Sequence, residues 1–328
     1  MSSQKTIASL SLDLDNRWSY LKTHGDPGWQ SLPSYLDVTV PRVLEFLAAR
    51  DLRITFFVVG RDAAEKKNHA SIKAIAGAGH EIGNHSFSHD PWLNLYDQEK
   101  VEAEIAAAEE QIASLTGQRP VGFRGPGYSF SETTLRVLER RGYLYDASTF
   151  PTFFGPLARF YYFLNSNLTR KDLKQRRLLF GSAANGFRPL KPYRWTNIGG
   201  LLEIPVTTMP LFRAPIHFSY VLYLSTFSVH LALAYFRTAM ALCRMTGVSP
   251  SLLLHPLDFL GEDDNVGLEF FPAMRLPSAR KMDLVSKVLE LCSAQLHFVP
   301  LKEHAQNVAK GLQTAEVTLY SHRTLPGK

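Results

Sequence analysis

The sequence predicts an α/β fold built from parallel βαβ units. Short β-rich runs alternate with helical patterns through the first half of the chain, the arrangement that feeds a parallel sheet. Hydrophobic residues make up 45% and charged residues 20% of 328 positions, enough apolar material for a core and too little bias for large-scale disorder. That length allows one large barrel or two ordinary domains and excludes a peptide-sized module.

Ile7 to Leu14 reads as the first strand. Pro41 opens a helix over Arg42 to Arg50, with Val43, Leu44, Leu47 and Ala48 at helical spacing. Ile54 to Val59 is a β-branched and aromatic strand ended by Gly60. Ser71 to Ala78 is helical and stops at Gly79, and His80 to Gly83 follows as a short strand. Asp97 to Leu115 is a long amphipathic helix closed by Gly117, before a strand at Val121 to Phe123. Ser131 caps a helix running to Arg141, and Tyr143 to Tyr145 is the next strand. After Pro151 the alternation degrades; Leu201 to Val206 and Ser251 to Leu254 read as buried strands, followed by a helix from Ser278 to Leu291, a strand from Leu296 to Val299 and a short last helix. The expected organisation is barrel over 1–150, insertion over 151–250, barrel again over 251–312, and a flexible tail over 313–328.

Charge is unevenly placed. Pro151 to Arg213 holds ten basic residues against Asp172 and Glu203, a net +8, so the rest of a +6 chain sums to −2. Such a segment suits an anionic partner, phospholipid headgroups or a substrate phosphate, or else it is a solvated basic face. Between Arg213 and Arg237 lie 23 residues without Asp, Glu, Lys or Arg, long enough to span a bilayer. Pro215, His217, Ser219, Ser225, Thr226, Ser228 and His230 interrupt it, and a crossing would part His255 from the motifs before it, so an interfacial surface or a buried helix is expected. Cys243 and Cys292 are too few for a disulfide framework or a thiolate zinc site. The polar start MSSQKTIASLSLDLDN does not read as a secretory signal, which gives the expectation of a cytoplasmic protein.

Two runs carry chemistry. In HEIGNHSFSH, His85 and His89 are four apart, and on a helical turn both imidazoles would face one cation; that spacing also arises by chance among 11 histidines. In SLDLDN, Asp13 and Asp15 are two apart at a strand end, so they repel unless a cation or an arginine compensates them, or they form a solvated loop pair. Asp15, His85 and His89 together would make a His₂Asp set with open positions for water.

These runs, with the later FRGPG and LLLHP, resemble the polysaccharide deacetylase superfamily (NodB homology, carbohydrate esterase family 4), over Ile7 to about Asp146 and again from Leu252 to Asp258. The resemblance implies a distorted (β/α)7 barrel, with the site at the C-terminal ends of the strands. It implies that Asp15, His85 and His89 hold a divalent ion, zinc first and Co, Mn, Ni or Fe as alternatives, with Asp13 as general base. Arg124 would orient that base, and His255 would be the general acid, paired with Asp146 or, in competition, with Asp258. A main-chain N–H of the Gly125 to Tyr128 turn would help to hold the oxyanion. Leu14 separates the two aspartates, as in the branch that contains cyclic-imidase-like and lipid-linked sugar deformylase relatives.

The implied reaction is hydrolysis of an N-acetyl or N-formyl group from an amino sugar. The basic insertion also contains Phe153, Phe154, Phe160, Tyr161, Tyr162 and Phe163, a composition that suits a membrane interface. The favoured substrate is therefore a lipid-linked or glycolipid amino sugar, met by a protein peripheral at the inner face of the cytoplasmic membrane. The alternatives are allantoinase-like hydrolysis of a small cyclic amide or imide, and a non-catalytic barrel that binds glycans or membranes. No recognition motif points to nucleic acid.

Overall fold

The computed structural model describes residues 5–155, 183–311 and 315–318. Arg159, Arg170, Lys171, Lys174, Arg176, Arg177, Phe160, Tyr161, Tyr162 and Phe163 lie outside the described residues.

The first half alternates as the sequence demands. Strand β1 (Thr6–Asp13) is followed by helices α1 (Arg17–His24) and α2 (Leu36–Ala48), then β2 (Thr55–Val58), α3 (Gly60–Ala64), α4 (His69–Gly77) and β3 (Glu81–Asn84). Next come α5 (Gln98–Thr116), β4 (Gly122–Phe123), α6 (Glu132–Arg140) and β5 (Tyr145–Asp146). The caps explain the boundaries. Asp97 accepts the Lys100 N–H at the start of α5, Gly117 ends it at φ 73°, and Ser131 with Thr134 forms a capping box on α6. Helix α2 begins five residues before Pro41, because Leu36 and Val40 continue the buried stripe; Pro41 is exposed, so the missing N–H falls on the solvent side.

The second half departs from the expected single insertion. After β5 come β6 (Tyr193–Trp195), β7 (Leu202–Glu203), β8 (Thr208–Met209), β9 (Ala214–Pro215), α7 (Phe218–Ser225) and α8 (Val229–Thr246), and the chain closes with β10 (Ser251–Leu254), α9 (Ser278–Ser293), β11 (Leu296–Val299), α10 (Leu301–Lys310) and β12 (Ala315–Val317). The main sheet runs β10-β1-β2-β3-β4-β5-β7-β6-β12, with β11 also on β1. Only the β6–β7 pair is antiparallel in it, while β8 and β9 make a separate hairpin. Residues 151–250 therefore donate β6 and β7 to the barrel sheet, since Leu202 and Glu203 are buried against β5. Within the expected tail, 315–317 pair with β6.

Seven parallel strands from β10 to β7 form a curled sheet, a distorted barrel. Its two ends meet where the Thr207 N–H donates to the Ser251 carbonyl (2.9 Å) and Thr207 Oγ1 accepts from the Ser251 N–H (2.7 Å). The largest hydrophobic cluster joins β1, β2 and β10 to α2, α4, α7, α8 and α9. The uncharged stretch after Arg213 is divided between α7 and α8 by a turn at 226–228, and no helix among the described residues is long and apolar enough to cross a membrane. Cys243 and Cys292 are buried free thiols.

Candidate active site

The strand ends converge. Asp13 closes β1, Asp15 follows it, His85 follows β3, Arg124 follows β4, and His255 follows β10, all at the C-terminal ends of parallel strands. Asp15, His85 and His89 present ligand atoms that lie within 4.8 Å of one another. His89 Nε2 is 2.8 Å and His85 Nε2 3.2 Å from Asp15 Oδ1.

The two histidines do not share a helical turn. The run after β3 is a loop in which Ser86 (φ 59°) and His89 (φ 51°) adopt left-handed backbone. Two side-chain acceptors hold that conformation: the buried Asn84 Oδ1 takes the Ser86 N–H (2.8 Å), while the half-buried Glu104 Oε2 takes those of Phe87 (3.1 Å) and Ser88 (2.8 Å). The loop brings the imidazoles together, with ring centroids 5.0 Å apart, by another route than the one expected from spacing.

The donor set fits a cation. His85 Nδ1 is 2.7 Å from the Arg124 carbonyl and donates to it, which leaves the Nε2 lone pair aimed at a carboxylate oxygen. Acceptors facing each other repel unless a proton or a metal ion lies between them, and two imidazoles with one carboxylate is a donor set that divalent transition ions take. The charges couple strongly. Burial by itself would raise the Asp15 carboxyl, but His89 and His85 outweigh it and hold Asp15 well below the usual carboxylate range. His85 is raised in turn, against its burial, by Asp13 and Asp15.

Asp13 stands beside this set with its own partner. Arg124, fully buried, donates from Nη1 to Asp13 Oδ1 (2.9 Å) and to Ser11 Oγ (3.0 Å), and from Nε to the Ala147 carbonyl (3.0 Å). The turn after Arg124 needs its glycine, because a Cβ on Gly125 would lie 1.8 Å from the Ser129 carbonyl oxygen.

His255 is half-buried across the cavity. Its Nδ1 is 3.3 Å from Ser219 Oγ, which itself donates to Asp258 Oδ1 (2.7 Å) and so has a lone pair free to accept from Nδ1–H. That relay leaves Nε2 as the ring's working nitrogen. Asp258 Oδ2 also accepts the His255 backbone N–H (2.8 Å). The carboxylate behind His255 is thus Asp258. Asp146 is turned elsewhere: buried at the end of β5, it accepts from Ser148 Oγ (2.6 Å), and Ser148 Oγ accepts the Gly125 N–H (2.8 Å). It lies close to Glu203, whose carboxyl burial and the Asp146 charge push well above its usual range. Asp146 therefore supports the Arg124 turn.

Two further groups escaped the sequence reading. Asp62 accepts from Asn16 Nδ2 (2.7 Å), Trp18 Nε1 (2.9 Å) and Asn68 Nδ2 (3.0 Å), fixing the chain that leaves Asp15. Burial raises its carboxyl to about 7. His217 lines the same cavity. No local motif marks either position; the fold sets Asp62 behind the segment that follows Asp15 and His217 on the cavity wall.

Asp13, Asp15, His85, His89, His217 and His255 face a cavity of about 650 Å³ whose walls are largely aromatic, with Tyr20, Tyr128, Phe150, Tyr220 and Phe270 around them. The Polysaccharide deacetylase family profile matches residues 26–145. Over that stretch the chain resembles a polysaccharide deacetylase domain. A peptidoglycan deacetylase of Helicobacter pylori is 31% identical over 120 residues, 37% of this chain and 40% of that protein. The chain spans 32–40% of the length of this and two further curated relatives. Two solved structures share this fold along nearly the whole chain. A Mycobacterium smegmatis protein described as a polysaccharide deacetylase aligns at TM-score 0.62 and 20% identity, covering 97% of this chain and 96% of that one. The Puue allantoinase aligns at 0.59 and 17%, covering 95% and 93%.

Proposed function

We propose that the protein hydrolyses the N-acyl group of an amino sugar, with a divalent ion held by Asp15, His85 and His89. One observation carries this reading: the convergence of that ligand set, the Asp13–Arg124 pair and His255 on a single cavity. A bound divalent ion, zinc first among the candidates, would supply a water acidic enough to attack at neutral pH and would polarise the acyl carbonyl. Asp13, held by Arg124, is the base that takes the proton from the attacking water. His255, with Nδ1 anchored through Ser219 to Asp258, delivers a proton from Nε2 to the departing nitrogen. The Gly125–Tyr128 turn, braced through Ser148 and Asp146, would offer one main-chain N–H to the oxyanion, that of Gly127, since Gly125 and Tyr128 already donate within the fold and Pro126 has none.

For the substrate, we favour a lipid-linked amino sugar met at an anionic membrane surface. The aromatic cavity wall supports this, and so does the apolar rim continuous with it. Phe154 lines the cavity, and its neighbour Phe153 packs against Phe187 at 5.1 Å. Arg213 Nη1 donates to the Arg188 carbonyl (2.8 Å), which brings the exposed Leu211 and Phe212 of the β8–β9 turn beside the same segment. Exposed apolar tips flanked by arginines suit headgroup depth.

The test measures acetate or formate released by metal-loaded protein from N-acetylated chitooligosaccharides, from peptidoglycan, and from a polyprenyl-phosphate-linked N-formyl amino sugar in anionic liposomes, with allantoin as the cyclic-amide comparison. Release from an amino sugar supports the reaction. Preference for the lipid-linked substrate, lost when Phe187, Leu211 and Phe212 become serine, supports the membrane reading. Turnover of allantoin alone, or of nothing, would overturn the proposal.

A further inference from the structure

His217 belongs to none of the motifs that first marked the site, yet it stands on the cavity wall beside His255. It is buried between β9 and α7, and its ring is caged. Tyr220 meets it edge-on at 4.5 Å, His255 edge-on at 5.5 Å, and Phe150 is tilted over it at 5.7 Å. Its Nδ1 is sealed from solvent and meets no hydrogen-bond partner among the described residues. A bare lone pair is tolerable in such a place, whereas an N–H would lose its hydration with nothing in exchange. The neutral ring therefore carries its proton on Nε2. Burial, then the neighbouring His255 and Arg124, hold the imidazole well below its usual range, so it stays neutral at physiological pH.

We infer that His217 is a substrate-binding residue whose Nε2–H donates a hydrogen bond to the sugar hydroxyl next to the scissile amide, on the leaving-group side of the site. The inference rests on the amino-sugar reading above. Its logic is positional: His255 serves the departing nitrogen, and the imidazole beside it faces what that nitrogen is attached to. A caged ring with one fixed donor also discriminates, because a substrate without the matching oxygen leaves that donor dry.

Two measurements on the metal-loaded protein test it. Long-range ¹H–¹⁵N correlation spectra should show His217 as the Nε2–H tautomer, without charging between pH 8 and pH 5; an Nδ1–H tautomer or titration near the ordinary histidine value would overturn the inference. In the second, His217→Phe keeps the aromatic cage and removes the donor, while His217→Gln keeps a donor. The phenylalanine variant should hold its metal and melting temperature but lose roughly tenfold or more in kcat/KM on an N-acetylated chitooligosaccharide, mostly through KM. The glutamine variant should recover part of it, and a substrate lacking the neighbouring hydroxyl should give the same value with wild type and His217→Phe. Unchanged kcat/KM in His217→Phe would sink the assignment. Should wild type turn over no amino sugar, the functional reading fails by itself, and calorimetric affinity for the same oligosaccharide, unaltered by His217→Phe, would then reject the His217 contact.

Discussion

Replacing Arg124 by methionine is the sharpest perturbation of the base. The guanidinium is fully buried and makes three hydrogen bonds, to Asp13, Ser11 and the Ala147 carbonyl, and it lies 4.5 Å over the Phe57 ring. Asp13 is only 4% exposed, so its carboxylate cannot recover in water what it loses. Removing one partner of a buried pair costs about 3–5 kcal/mol, because the other charge is left stranded. In urea unfolding of the metal-free protein, that loss should lower the midpoint by about 1 M or more. The double variant Arg124→Met with Asp13→Asn should be more stable than Arg124→Met alone, since the stranded charge is gone, though both are inactive. A single variant within about 1 kcal/mol of wild type, or a double variant no better than the single, would refute the account of this pair.

Asp13→Asn and His255→Ala should each keep the metal, since neither belongs to the ligand set, and each should lower kcat by roughly 10²-fold or more; steady-state kinetics beside elemental analysis checks both. His304, buried under β1 with Nδ1 2.9 Å from Ser9 Oγ, is pushed down to about 4 by burial. Its contribution is fully present above the unfolded value near 6.5 and is lost as pH falls through about 4, a span worth about 3 kcal/mol at most. Buried carboxyls such as Asp62 act in the opposite direction, so the readout is the difference between wild type and His304→Gln in urea unfolding across pH 7 to pH 4, which should shrink as pH falls.

The legible parts of the molecule were those with a local cause. Caps marked α5 and α6, since Asp97, Gly117 and Ser131 act on their own helix ends. Apolar runs marked β1, β2 and β10, because strands buried on both faces read as near-continuous hydrophobic sequence. The strand-end motifs carry Asp13, Asp15, His85, His89, Arg124 and His255, which the fold brings together at the C-terminal ends of the parallel strands. What failed was long-range. The helical turn expected for His85 and His89 gave way to a loop held by Glu104, fifteen or more residues further on. The sequence leaves the partner of His255 open between Asp146 and Asp258; Ser148 and Glu203 hold Asp146 elsewhere, and Glu203 lies 57 positions further along, so no local pattern decides between them. A short strand such as β6 has too few residues to show a period, and only its pairing with β7 reveals it.

Titration of zinc or cobalt into chelated protein, followed by calorimetry and elemental analysis, tests the central claim most directly. The account predicts one ion per chain, bound by wild type and by Asp13→Asn, and lost in Asp15→Asn and His85→Ala. Binding that survives in both of those variants, or no binding by folded wild type, would contradict the metal site on which the proposed reaction depends.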